Sequence, residues 1–461
     1  MRRKSVSGFI RELYINSEKS SMRLLSEYAN IKIQNMSLFW FRNYLQSDVV
    51  RLFFSKNEYI RIPDFTDDPN DEDSEKYTKR MYKTTVQKAK ERLDALGFSI
   101  LKFEEIFNKT MNDAIHYNTF LSHLSIDCDD YDEKSKSRFE KYVTFKKWKN
   151  SMAKIIKYEL ENGNIDYYDK IDAKSIGINT ECDKIIYYSL KEDDQESYYG
   201  LNTGIIDISY IFRLILESCE STDEITLDFT YLGDSVSEAI SATENDEKTI
   251  VLVEGTSDKD ILEFALDRLY PHLSDLFYFM DFDDGHGGKR DGGTTFIIKN
   301  LKAFYFSKLK SKFIAIFDND AEGYQSKCIL ENEIKNWTDN FRIFLYPQDN
   351  LFKSYPTILP NGTICNDDIN RKACSIELYL PDAVIQENGM YYHVEWESRK
   401  KIKNGNNEEY LYQGVITQKD AIKKKFHDLR KAIEAGNQPF VEEEWSRIKL
   451  ILDTIIFAFV K

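Results

Sequence analysis

Between Thr249 and Leu345, short apolar β-branched runs alternate with amphipathic stretches, and this alternation restricts the fold more than any other feature of the chain. Thr249–Val253 (TIVLV) predicts a strand buried on both faces. Asp258–Leu269 predicts a helix, Leu276–Phe282 a second strand and Thr294–Ser307 a second helix. Phe313–Phe317 (FIAIF) predicts a third strand, Ala321–Lys335 a third helix and Arg342–Leu345 a fourth strand. Strands separated by helices imply βαβ units with right-handed crossovers and a mainly parallel sheet flanked by helices. Such sheets bind ligands at the carboxyl ends of their strands, so those ends are the places to look for chemistry.

Both ends of interest are acidic. The first strand runs out into Val253-Glu254-Gly255-Thr256-Ser257-Asp258, with Gly255 permitting a sharp turn and Asp258 at the helix start. The third runs out into Asp318-Asn319-Asp320-Ala321-Glu322-Gly323. Asp318 and Asp320 are two residues apart, so in extended backbone they face the same way. Carboxylates gathered at one sheet edge repel one another unless a cation neutralises them. All-oxygen ligands suit Mg²⁺ or Mn²⁺ rather than zinc. Two such ions about 3.5–4 Å apart would clamp the attacking and leaving oxygens of a phosphodiester. Asp258 is equally suited to capping its helix, and Glu322 to a first helical turn.

V-E-G-x-x-D after one strand with D-x-D after a later one resembles the Toprim signature of topoisomerases, bacterial primases and overcoming-lysogenization-defect nucleases. Glu254 matches the Toprim glutamate, and Asp318 and Asp320 the D-x-D pair. More widely, Tyr82–Leu96 with Gly97-Phe98, Arg213–Ser218, Leu269–Leu273 and Phe279–Phe282 resemble bacterial HEPN/Toprim-associated proteins. That resemblance implies a HEPN-like helical region over 1–245 and a Toprim domain with a C-terminal helical extension over 246–461. It implies catalysis by Glu254, Asp318 and Asp320, with metal (Mg²⁺ or Mn²⁺) held by these three, Asp258 and Glu377. Glu377 enters through Ser375-Ile376-Glu377, which looks like the S-I-E segment of such proteins. No gate and toroid of a topoisomerase, zinc module of a primase or cysteine cluster of a recombination mediator is evident. This leaves a nuclease acting on DNA or RNA, and the resemblance implies a role in bacterial anti-phage defence. The competing expectation is a sensor or partner-activated regulator that binds metal and nucleic acid without cutting.

The remaining signals concern nucleic-acid contacts. The segment 281–293 carries five glycines in its last nine residues, and its amides with Lys289 or Arg290 suit phosphate. Lys134–Lys157 mixes cations, including Lys146 and Lys147, with Tyr142, Phe145 and Trp148. Aromatics among cations stack on bases, while a helix with an aromatic core stripe and a solvated basic face explains the same pattern. Lys423–Lys431 and Arg399–Lys403 are smaller basic clusters. HEPN ribonucleases use R-x4–6-H; none of His116, His123, His272, His286, His393 and His427 has an arginine at that spacing.

Upstream of residue 246 the chain reads as mainly helical, over Thr84–Leu96 (closed by Gly97), Asp113–Ser125, Ser135–Asn162 and Ile205–Ser218. Strand pieces are expected near Ile185–Leu190 and Glu224–Phe229, and an exposed acidic loop over Asp64–Lys79. The 461 residues suffice for two or three domains. The six cysteines form no C-x-x-C pair, which favours a reducing compartment. No apolar run approaches the ~18 residues of a membrane helix, and no signal-peptide core follows the basic first residues. The expectation is a cytoplasmic protein off the membrane, with a protein partner or self-association open. Net charge is −15, which places the burden on a local basic surface for any nucleic acid.

Overall fold

The computed structural model describes residues 28–62, 79–112, 141–165, 173–192, 197–198, 201–202, 207–230, 232, 236–243, 247–280, 293–404 and 407–460. The chain divides into two compact units: residues 1–244 with 460–461, and residues 245–459.

The first unit is not the mainly helical body expected. It is built on a five-stranded antiparallel sheet of β1 (Tyr28–Ile33), β2 (Met36–Arg42), β3 (Tyr59–Ile62), β4 (Lys79–Thr85) and β5 (Glu224–Asp228). The order is β2-β1-β5-β4-β3. Strand β1 alternates, with Ala29, Ile31 and Ile33 buried, which is the period of a half-buried strand. The β1–β2 turn places Gln34 at φ 50 without glycine, so the usual hairpin signature is missing. Helices α1 (Ser47–Phe53), α2 (Val86–Leu96), α3 (Ile100–Asn112), α4 (Phe145–Asn162), α5 (Glu181–Glu192) and α6 (Ile208–Glu217), with a short helix over Val236–Ser241, accompany the sheet. Gly97 closes α2 at φ 93, as expected.

Helix α5 replaces the strand expected near Ile185–Leu190. Its start carries a reciprocal cap: the Asp183 amide donates to Thr180 Oγ1 (3.1 Å), and the Thr180 amide to Asp183 Oδ2 (2.7 Å). Asp183 is buried, with Lys154 Nζ 2.6 Å away. The expectations for Asp64–Lys79 (up to residue 78), Asp113–Ser125 and residues 135–140 lie outside the described residues.

The second unit follows the alternation. Strands β6 (Thr249–Leu252), β7 (Phe277–Met280), β8 (Phe313–Phe317) and β9 (Phe341–Leu345) form a parallel sheet ordered β9-β8-β6-β7. Helices α7 (Thr256–Leu269), α8 (Thr294–Phe306) and α9 (Ala321–Glu333) lie between them in sequence. Every residue of β8 is buried, as a central strand covered on both faces must be.

The region beyond β9 is not helical throughout. A second sheet joins β10 (Tyr355–Ile358), β11 (Ile364–Asp367), β12 (Val394–Asn404) and β13 (Asn407–Ile416) in the order β11-β10-β12-β13. Helices α10 (Lys419–Glu434) and α11 (Ser446–Ile456) follow. Strands β12 and β13 form a long antiparallel ribbon that packs against α9. No described helix is long and apolar enough to cross a membrane.

Candidate metal and nucleic-acid site

Neighbouring parallel strands deliver the two acidic segments to one end of the sheet. Strands β6 and β8 pair in register from Ile250 opposite Phe313 to Leu252 opposite Ala315. Glu254 and Asp318 therefore leave adjacent strands together, and the Asp318 amide donates to Glu254 Oε1 at 3.0 Å. Asp320 caps α9 by accepting from the Gly323 amide at 2.7 Å. Gly323 is required by packing. A Cβ there would fall well inside contact distance of the Asp318 carbonyl oxygen and 3.1 Å from its carbonyl carbon.

A second chain crossing brings up Glu377. Asn319–Asp320 pairs antiparallel with Ala373–Cys374, so the residues just before Ser375-Ile376-Glu377 are bonded to the D-x-D segment itself. Glu377 is buried at 1 % exposure, and its Oε1 lies 3.1 Å from Lys419 Nζ and 3.9 Å from Lys423 Nζ. These two lysines sit one turn apart at the amino end of α10, where the helix dipole disfavours cations. Glu377 supplies the compensating charge.

Mutual repulsion registers in the proton affinities. Burial first, then the Asp320 charge, pushes Glu254 up to about 8, against the relief of the Asp318 amide. Burial and Glu377 push Asp258 up to about 7, and Lys419 opposes this. Asp318 is raised well above the usual carboxylate range by burial and then by Glu254, Asp258, Asp320 and Glu377. Asp320 is raised by burial, moderated by its bonds from Gly323 and Gln413. Lys419 is raised: burial lowers it, but Glu377, Asp318 and Asp258 together outweigh that. The five acids thus form one electrostatic cluster centred on Asp318.

The donor set fits an oxygen-preferring divalent cation. Asp318 Oδ1 and Glu377 Oε2 are buried with no hydrogen-bond partner among the described residues, an arrangement costly without a cation or a proton. Yet among the described residues no three Asp, Glu, His or Cys side chains are gathered tightly as a metal site. Ligand distances near 2.1 Å therefore require some of these carboxylates to turn inward. Their two free oxygens are the ones at liberty to do so.

Three further residues shape the cluster. Gln413 on β13 donates to Asp320 Oδ2 (2.8 Å) and accepts from the Glu322 amide (3.0 Å), bracing both acids. Lys400 on β12 pairs with Glu322 at 2.6 Å. Tyr346 directly follows β9, and its buried hydroxyl has no described partner and is raised by burial and the charges of Asp258, Asp318 and Glu254. Tyr346 could have been found by extending the strand-end rule to β9. Gln413 and Lys400 have no local sequence signal.

The other expected contacts fare differently. Lys289, Arg290 and His286 lie outside the described residues. Lys146 and Lys147 are exposed on α4. Trp148 is not a base-stacking residue: it is fully buried, with its ring centroid 5.6 Å from Phe103, 5.4 Å from Phe107 and 6.1 Å from Phe145. Phe145 is buried too, so the aromatic stripe of α4 faces the core.

Residues 26–237 match the family described as HEPN/Toprim N-terminal domain 1. The match supports a HEPN/Toprim-associated family. It spans under half of the chain and covers the strand-rich first unit, not the carboxylate cluster. No curated protein and no solved structure matches the chain. A HEPN/Toprim association carries with it the general potential to act on nucleic acids and, for a Toprim domain, to bind divalent metal.

Proposed function

We propose that the second unit is a Toprim domain and that the protein is a divalent-metal-dependent nuclease. The observation that carries this reading is the delivery of Glu254 and the Asp318/Asp320 pair to one end of a parallel sheet by adjacent strands, joined by the 3.0 Å bond from the Asp318 amide to Glu254. The match to a HEPN/Toprim N-terminal domain over residues 26–237 adds to it.

Glu254, Asp318 and Asp320 would hold one ion, and Asp258 with Glu377 a second. Bound there, Mg²⁺ or Mn²⁺ would supply positive charge to polarise a phosphodiester oxygen and to acidify a water. The protein's own contribution is placement. The Asp318 amide fixes Glu254 Oε1 and leaves Oε2 as the position for a proton when no cation is present. The Gly323 amide and Gln413 fix both oxygens of Asp320. Asp318 Oδ1 and Glu377 Oε2 stay free to bind.

The test is incubation of purified protein with supercoiled plasmid, single-stranded DNA and RNA, with Mg²⁺ or Mn²⁺, beside an Asp318→Ala/Asp320→Ala variant. Cleavage that needs both metal and the two aspartates supports the reading and names the substrate. Cleavage that persists in the variant overturns it. No cleavage of any substrate, with metal bound, favours a sensor or a partner-activated regulator. The cellular role this reading implies is defence against phage, checked by plaque counts on cells carrying wild type or the double variant.

A further inference from the structure

The β12–β13 ribbon has two unlike faces. In an antiparallel ribbon, directly opposed residues share a face. Ser398 with Gln413, Lys400 with Leu411 and Ile402 with Glu409 make the inner face, which carries the two braces of the acidic cluster. Trp396 with Gly414, Arg399 with Tyr412, Lys401 with Tyr410 and Lys403 with Glu408 make the outer face.

That outer face is an aromatic surface set with cations. Tyr410 and Tyr412 are 52 % and 53 % exposed. The Arg399 guanidinium lies 4.9 Å from the Tyr410 ring and 5.7 Å from the Tyr412 ring. Tyr412 lies 6.0 Å from Trp396, and Lys372 Nζ 5.7 Å from the Trp396 ring. Glu408 offsets part of the charge, pairing with Lys401 at 2.7 Å and Lys403 at 3.7 Å. Arg399 and Lys372 remain, the latter 3.6 Å from Asp367.

We propose that the outer face of the β12–β13 ribbon is a binding platform for single-stranded nucleic acid, with bases on Tyr410, Tyr412 and the half-buried Trp396 and phosphates at Arg399 and Lys372. Exposed aromatic rings interleaved with cations are what sequence-tolerant strand binding requires. Single strands are favoured over duplex on spacing. Alternate residues of a strand stand about 7 Å apart, roughly twice the base step of a duplex strand. The platform fits bases spread apart rather than stacked.

The platform also leads somewhere. Lys372, at its Trp396 end, is bridged through its backbone to Asp320, and its carbonyl accepts from the Gly414 amide at 2.9 Å. A strand running from Tyr410 past Trp396 to Lys372 arrives beside the D-x-D segment. That the bound strand is a substrate rests on the nuclease reading above; that it binds does not.

The test is fluorescence anisotropy of a labelled oligothymidylate of roughly 20 nucleotides, longer than one such site, with full-length protein in EDTA. A matched oligouridylate and a blunt duplex run alongside. Wild type should bind both single strands more tightly than the duplex. Tyr410→Ala/Tyr412→Ala should weaken binding about tenfold or more, Tyr410→Phe/Tyr412→Phe should keep it, and Arg399→Ala or Lys372→Ala should weaken it and lower its salt dependence. Thermal unfolding curves certify each variant as folded. Absence of binding by wild type, tighter binding of the duplex, or wild-type affinity in the folded alanine variants overturns the platform. Binding is read in EDTA, where no metal-dependent cleavage occurs, so failure of the platform and failure of the nuclease reading are read out separately.

Discussion

The backbone amide of Asp318 donates to a carboxyl oxygen of Glu254 at 3.0 Å, so one acid of the cluster is oriented by the main chain of another. Glu254→Gln keeps an oxygen acceptor at that position and removes the charge. The expected result is a folded protein, with a melting temperature equal to or above that of wild type in EDTA, that has lost metal-dependent cleavage by 10²-fold or more, a loss of the size seen when transition-state stabilisation is removed. Cleavage assays beside thermal unfolding check it, and a variant with near wild-type cleavage would contradict the role assigned to Glu254.

The cluster predicts how stability responds to pH. Glu254 is raised from 4.5 to about 8 and Asp258 from 3.8 to about 7. A raised acid binds more protons in the folded than in the unfolded state. Its contribution is therefore complete below the unfolded value and is lost as pH climbs through the folded one. The acids titrate as a set rather than singly. In EDTA, the melting temperature should fall between about pH 5 and pH 8. Millimolar Mg²⁺ should restore it at the alkaline end, since a ligand that prefers the folded state stabilises it. A flat profile in EDTA, or no effect of Mg²⁺ at pH 8, would count against the cluster as a cation site.

Gln413 spans Asp320 and the Glu322 amide, and its replacement separates bracing from charge. Gln413→Ala leaves both partners short of a bond at a cost of about 1–3 kcal/mol. Gln413→Glu sets another carboxylate against Asp320. It should cost more stability as pH rises, because deprotonation of either acid adds to the repulsion. Denaturant titrations across the acid-to-alkaline range measure this, and a loss that does not grow with pH would count against charge repulsion at this position.

Trp148 tests the core assignment of helix α4. Trp148→Ala should destabilise by about 3–5 kcal/mol, the cost of emptying a large buried aromatic site. Lys146→Ala and Lys147→Ala, on the exposed face, should stay within about 0.5 kcal/mol of wild type. Chemical denaturation reports both. A stable Trp148→Ala protein with weakened oligonucleotide binding would reverse the assignment.

How far the sequence could be read depended on what held each element. The parallel strands were visible because β8 is buried on both faces and so is wholly apolar, and the strand-end rule then led to Glu254 and Asp318. Of the antiparallel sheet of the first unit only β5 was legible, as the strand expected near Glu224–Phe229; the β1–β2 hairpin was hidden because its turn uses Gln34 where a glycine would have signalled one. The β12–β13 ribbon escaped for a different reason. It is charged on one face and half-polar on the other, and only Val394 and Ile402 of β12 are buried hydrophobics, so no apolar alternation marks it. Gln413 could not be found at all, being 93 residues from the aspartate it holds. Trp148 shows the opposite hazard, where aromatics between lysines describe a core stripe as faithfully as a binding face.

The pairing of Asn319–Asp320 with Ala373–Cys374 bears on how this chain can be dissected. A fragment ending at Leu345 would hold the whole parallel sheet, Glu254, Asp258 and both aspartates. It would lack the partner for Asn319, the glutamine that steadies Asp320, and Glu377. The parallel sheet is thus not a portable cassette, because its acidic edge is finished by residues that arrive only with the ribbon and the segment before it.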